Sequence, residues 1–220
     1  ISISDKNYGA LAFSLNHRFI NKNFANFDRI NDIEFDRAYN LPDLQNRQEK
    51  MTEIKLDYSP FKELLINNLY GEIDRGNSIN SKRFYSSITN QNKLYLNIIT
   101  DINKSTIIEK DSRWLKQNSS VSYDFEKIKP GIDILYENKK EKNILTDTLL
   151  FTSLRYEEVS PFIEFELFDF LSLTARSSFR NEYSPVRNKL EKQSEITTNS
   201  FQLNTIKSSN INFTLNISVR

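Results

Sequence analysis

Apolar and polar residues alternate along the closing stretch INFTLNISVR. Ile211, Phe213, Leu215, Ile217 and Val219 take the odd positions, and Asn212, Thr214, Asn216, Ser218 and Arg220 the even ones. A strand points successive side chains to opposite faces, so this segment has one apolar and one polar face. The same alternation recurs upstream. Leu11, Phe13 and Leu15 form one set, and Ile54, Leu56 and Tyr58 another. Leu94, Leu96 and Ile98 follow, then Val121, Tyr123 and Phe125, then Ile132, Ile134 and Tyr136, then Leu171, Leu173 and Ala175. Between them lie Lys55, Asp57, Asp124, Arg176 and other polar residues. None of the apolar sets contains a charge, which is the one-face-apolar signature of antiparallel sheet. Helical periodicity is almost absent.

The breaks come in two sizes. Short ones fall at 21–26, 59–63, 90–92, 127–130, 168–170 and 208–210, and long polar ones at 37–50, 74–82, 103–119, 138–147 and 181–196. They alternate, which predicts about twelve strands arranged as hairpins in one domain over 1–220. The faces are most mixed at 27–36 and 64–73. Across LLFTSLRYEEVSPFIEFEL the apolar parity switches: Leu150, Leu154 and Tyr156 are even, whereas Ile163, Phe165 and Leu167 are odd. One strand over about 148–167 with a bulge near Pro161 accounts for the slip and for the proline.

Composition narrows the classes. Only 38% of residues are hydrophobic, below the roughly 45–50% of soluble domains, a figure that includes glycine. Thirty basic and 29 acidic residues leave a net charge of +1, without the basic bias of a nucleic-acid binder. With no cysteine, disulfides and thiolate metal sites are excluded. The opening ISISDKNYGA has neither the basic nor the apolar region of a signal peptide. No apolar run approaches the ~20 residues of a membrane helix, but membrane β-strands are shorter and only half apolar.

Candidate chemistry is sparse. His17 is the only histidine, so a His-pair metal site or a Ser-His-Asp triad has little to stand on. Asp28, Asp32, Glu34, Asp36 and Asp43 are dense enough for calcium, but they lack EF-hand spacing and are interleaved with Arg29 and Arg37. A charged strand face explains them as simply. No phosphate loop occurs. No catalytic, metal or cofactor residue is assigned, and no enzyme activity or cofactor is expected. Trp114 opens the approach to a strand after a long polar stretch, where either a membrane-interface ring or a sheet-edge ring would sit.

Several stretches, DRINDIEFDRAYNL, NLYGEIDRG, SRWLKQNSSVSYDFEKIKPGIDILYENKKEK and LSLTARSSFRNEYSPV, together resemble segments of large outer-membrane β-barrel proteins of the Bacteroidota-type cell envelope, over roughly 27–220. The resemblance implies a barrel piece located in a bacterial outer membrane. Its partners would be the lipid bilayer and other envelope proteins, with no nucleic acid. Two features depart from that pattern: the chain finishes on Arg220 instead of an aromatic, and it holds four glycines.

Three readings follow. In the membrane reading, Ile54, Leu56, Leu94, Leu96, Ile98, Val121, Tyr123, Phe125, Leu171, Leu173, Ile211, Phe213, Leu215, Ile217 and Val219 face lipid. Lys55, Asp57, Asp124, Arg176, Asn212 and Asn216 then face a lumen, and aspartate at Leu215 blocks insertion while aspartate at Asn216 is mild. In the second reading, the same apolar faces form the core of a soluble β-sandwich surface, adhesion or ligand-binding module. An enzyme with no nominated residues is the third. A strand 211–220 that does not pair with the first strand marks an open piece of a barrel.

Overall fold

A computed structural model describes residues 1–5, 8–21, 38–41, 48–76, 79–168, 171–205 and 215–219. Strand makes up 83% of these. The strands are β1 (Ser2–Asp5), β2 (Gly9–Ile20), β3 (Glu49–Phe61), β4 (Leu64–Asp74), β5 (Ile79–Gln91) and β6 (Leu94–Ile107). They continue as β7 (Lys110–Tyr123), β8 (Ile128–Asn143), β9 (Thr148–Leu149) and β10 (Leu154–Phe168). The last are β11 (Leu171–Val186), β12 (Lys189–Thr205) and β13 (Leu215–Val219). All join one antiparallel sheet in chain order, except that β9 is a short flap on β8. The architecture is therefore the expected up-and-down meander. No second sheet packs on it among the described residues, so the sandwich geometry does not occur there. β13 pairs with β12, and no described residue of β13 pairs with β1 or β2, so the sheet is open.

Several boundaries differ from expectation. The stretch 103–119 is not a long connection: β6 and β7 run through it and turn at 108–109. Likewise β11 and β12 run through 181–196 around a turn in which Arg187 and Asn188 both have positive φ, the geometry that suits the right-handed twist of a hairpin. These strand ends are polar on both faces: one face is solvated, and at β6 and β7 the other buries Asn103, Ser105 and Ser112 as hydrogen-bonded polar groups. Alternation of apolar and polar residues disappears where neither face is apolar. Residues 64–73 do form β4, whereas the strand expected at 27–36 lies outside the described residues.

The bulge expected near Pro161 is absent. β10 starts at Leu154 and stays in constant register with β8 from Leu154↔Lys139 to Phe165↔Ile128. Toward β11 the register is the same at Val159↔Phe179 and Phe162↔Arg176, and the ladder skips Ser160 and Pro161 between them. A proline nitrogen has nothing to donate, so the gap accommodates it without a slip. The Ser160 and Ser178 hydroxyls bond across it at 2.6 Å. The parity switch has another cause. Leu154 and Tyr156 lie on the polar face, where β10 begins, and Ile163, Phe165 and Leu167 lie on the apolar face.

Paired residues in an antiparallel ladder share a face, so the register sorts every strand position. One row reads Leu11, Tyr58, Ile66, Ile88, Ile98, Ser119, Ile134, Val159 from β2 to β10. A row of the other face reads Ser14, Lys55, Leu69, Tyr85, Asp101, Lys116, Glu137, Tyr156, Glu182. The apolar face is uncovered: Leu56 is 39% exposed, Leu94 45% and Ile134 39%. The buried apolar cluster, Tyr39, Leu41, Met51, Ile73 and Ile79, is small and belongs to the polar face.

Candidate functional site: the polar face and the apolar band

On the apolar face, the runs Leu94–Ile102, Leu115–Tyr123, Ile128–Tyr136 and Val159–Leu167 carry no charge. Each rises about 27 Å along its strand at ~3.4 Å per residue. The band also climbs across the register. The row that starts beside the turn at Leu11 reaches β10 at Val159, yet β10 continues to Leu167 before its own turn end. That is a slide of about 27 Å over roughly 34 Å of sheet width, a tilt of about 40°, within the ~35–45° range of β-barrels. At this tilt the band stands about 21 Å tall. Tyr70 and Phe84 sit near its upper rim, and Tyr123 and Phe125 near its lower rim, with their ring centroids 4.5 Å apart.

The structure places Ile54, Leu56, Leu94, Leu96, Ile98, Val121, Tyr123, Leu171 and Leu173 on the apolar face. Phe125 lies beyond β7 in the turn to β8, and is 61% exposed. Lys55, Asp57 and Arg176 are on the polar face. Asp124 is not: it sits in the same turn, where its carboxylate accepts the Glu126 amide at 2.8 Å, so it shapes the turn instead of lining a lumen. Leu215, Asn216, Ile217 and Val219 occur in β13, in register with Leu203, Gln202, Phe201 and Asn199. Ile211, Phe213 and Asn212 lie outside the described residues, as do Asp28, Asp32, Glu34, Asp36 and Asp43. His17 holds the Thr52 hydroxyl across the β2–β3 pair at 2.9 Å. Trp114 occupies neither predicted position. It is in mid-strand on the polar face, donating to Glu137 at 2.7 Å, with Lys116 3.7 Å and Lys139 4.8 Å from its ring centroid.

Charges on the polar face are mostly paired. Arg83 grips Asp101 with two bonds of 3.0 and 2.9 Å, and Arg176 reaches across β10 to Asp133. Glu49, 6% exposed, joins Arg18 and Arg75. Among the described residues no three His, Asp or Glu side chains gather to hold a metal.

The feature missed from sequence is a piece of the β2–β3 connection, Ala38–Leu41, lying on this face. It rests on a cross-strand row of serines, Ser81, Ser105 and Ser112, which are small enough to let backbone approach. Ser81 donates to the Tyr39 carbonyl at 2.6 Å, and Asn103 to the Ala38 carbonyl at 3.1 Å. The Asn40 amide donates to Ser105 at 3.0 Å and Ser112 at 2.9 Å. Asn40 has φ 53°, a conformation asparagine tolerates. The Tyr39 hydroxyl donates to Glu53 at 2.6 Å. Burial first, and then the Glu53 carboxylate, push that hydroxyl well above its ordinary pKa, so it remains a donor. Gly71 makes the contact possible, since a Cβ there would lie 1.7 Å from the Tyr39 oxygen. The available signal was a glycine and three serines that fall together only once the register is known.

Gly71→Val should expel the segment. The chain has no cysteine, so a Leu41→Cys probe gives a clean readout. Leu41 is 8% exposed, and its thiol should react at least about tenfold faster with a water-soluble maleimide when Gly71→Val is added. Equal rates would show that Gly71 does not hold the segment down.

Compared with protein-family models, with curated proteins and with solved structures, the chain matches none.

Proposed function

We propose that this chain forms part of the wall of a transmembrane β-barrel in a bacterial outer membrane, of the large Bacteroidota-type kind its sequence resembles. Its role is structural or transport-related, not catalytic. The observation that carries this reading is the apolar band: uncovered, free of charge, flanked by aromatics and inclined at the angle of barrel strands. In a bilayer the band faces lipid, and the polar face lines water. Backbone groups in lipid must all be paired, so the open edges require further strands. The turns at 62–63, 92–93 and 124–127 lie on the periplasmic side, the strands run on past the band at the outer side, and the connection holding Ala38–Leu41 folds inward from there, narrowing the lumen. Its partners are lipid and other envelope proteins.

Partition tests this directly. The barrel that contains this chain, complete with the strands its open edges require, should float with phosphatidylcholine vesicles after dilution from urea and resist alkaline carbonate extraction. A complete protein that stays monodisperse in detergent-free buffer, and does not float, is not a membrane wall.

A further inference from the structure

At the outer rim of the apolar band, four cations stand side by side on adjacent strands. The register pairs Lys82 with Lys104, Lys104 with Arg113, and Arg113 with Lys140. All four are exposed and point to the apolar side of the sheet. Like charges directly opposite one another across strands are destabilising. Elsewhere this sheet sets charges against opposite ones, as in Asp101↔Lys116↔Glu137.

Local acids neutralise the row only at its Lys82 end and, weakly, at Arg113. Lys82 pairs with Glu72 at 3.0 Å, and Arg113 lies 3.9 Å from Asp111 while remaining 70% exposed. Among the described residues, Lys104 and Lys140 make no ion pair. A shallow depression of about 460 Å³ opens at the row; Ile102, Lys104, Arg113, Leu115, Asn138 and Lys140 line it from the apolar side, with Asn103 and Trp114 between them in the strands. Its lower wall, Ile102 and Leu115, is continuous with the apolar band, and its upper wall is cationic.

We infer that Lys104, Arg113 and Lys140, with Lys82 at the end of the row, bind the phosphate of an anionic lipid. The acyl chains would lie against Ile102, Leu115 and the band below. This rests on the membrane reading above. The chemistry is that of an interface: phosphate oxygens accept from the ammonium and guanidinium groups, and the arginine fork suits a phosphate bidentately. Inter-strand spacing sets the cations ~4.8 Å apart, so one or two phosphates span the row. At the tilt derived above, the row climbs roughly 9 Å across the headgroup zone from Lys82 to Lys140.

The test compares wild type with Lys104→Gln/Arg113→Gln/Lys140→Gln in flotation with two vesicle types. One is phosphatidylcholine alone, and the other is phosphatidylcholine containing phosphatidylglycerol. Wild type should prefer the anionic vesicles at low salt, and the triple variant should lose roughly 30–100-fold of that preference. Both proteins should float equally with neutral vesicles. The charge-preserving Lys104→Arg/Lys140→Arg should keep the preference. Equal preference in wild type and triple variant, with both floating, overturns the site but not the membrane reading. Flotation of neither protein with either vesicle overturns both. A third arm adds inorganic phosphate: full competition at concentrations equal to the lipid phosphate would assign the row to free phosphate and overturn the lipid assignment.

Discussion

Ile98→Arg should prevent stable insertion, and Asn97→Arg, one residue away, should be tolerated. Ile98 is the midpoint of the apolar run Leu94–Ile102, and its register neighbours are Ile88 and Ser119. Asn97 is on the other face, opposite Thr89 and Ser120. Asp133 is the register partner of Ser120, so an arginine at 97 stands on the polar face near a carboxylate that it would share with Arg176. A basic residue on the lipid face near the midplane costs about 2–4 kcal/mol, which lowers the inserted fraction roughly 30- to 1000-fold. The measurement is the urea midpoint of each variant in phosphatidylcholine vesicles. In a soluble protein the outcome inverts, because arginine on an uncovered apolar face would improve behaviour in buffer. Insertion of Ile98→Arg as complete as wild type would remove the lipid assignment of this face.

The band was legible in the sequence because its two faces differ in polarity residue by residue. Leu94, Leu96 and Ile98 repeat with the period of a strand, and so do Leu171 and Leu173. Beyond the band that contrast vanishes. Lys104, Thr106, Asp111 and Arg113 look like loop because they put polar groups on the otherwise apolar face while Ser105 and Ser112 put polar groups on the other, although the backbone there is fully paired. Register was not legible either, and it decides the rest. It places Trp114 beside Lys139 and Glu137 instead of at an interface. It gathers Ser81, Ser105 and Ser112 into a ledge for Ala38–Leu41. It also aligns four cations whose sequence positions, 82, 104, 113 and 140, show no relation. A cross-strand contact depends on both strands and on the turn between them, so single-strand patterns do not contain it.

Glu141→Gln should produce the largest loss of stability among polar-face substitutions outside the band. Glu141 is 1% exposed, near the end of β8. Its carboxylate receives Lys110 at 3.0 Å, Lys139 at 3.2 Å, the Ser112 hydroxyl at 3.3 Å and the Thr152 hydroxyl. Its backbone is bound to the following connection: its amide donates to the Ser153 hydroxyl at 2.9 Å, and its carbonyl accepts the Leu150 amide at 2.8 Å. One residue thus anchors the flap that carries β9. Burial by itself would raise the carboxyl pKa, but the hydrogen bonds from Thr152 and Lys110, with the charges of Lys139 and Lys110, outweigh it and hold the pKa below the ordinary value. A carboxylate with a lowered folded-state pKa stabilises the protein at pH above its unfolded value, and that contribution disappears as pH falls through the folded value. Glutamine keeps the shape but leaves two lysines without their counter-charge. Breaking a buried pair costs about 3–5 kcal/mol, and the partial exposure of both lysines reduces this to roughly 2–4 kcal/mol. The urea midpoint of Glu141→Gln should therefore lie well below wild type at neutral pH, and the gap should close as pH falls from the ordinary carboxylate range through the lowered value of Glu141. Protease cleavage within 144–153 should rise in parallel. A gap that stays constant with pH would mean that the side chain acts by shape alone, and no gap at neutral pH would mean that the flap is held without it.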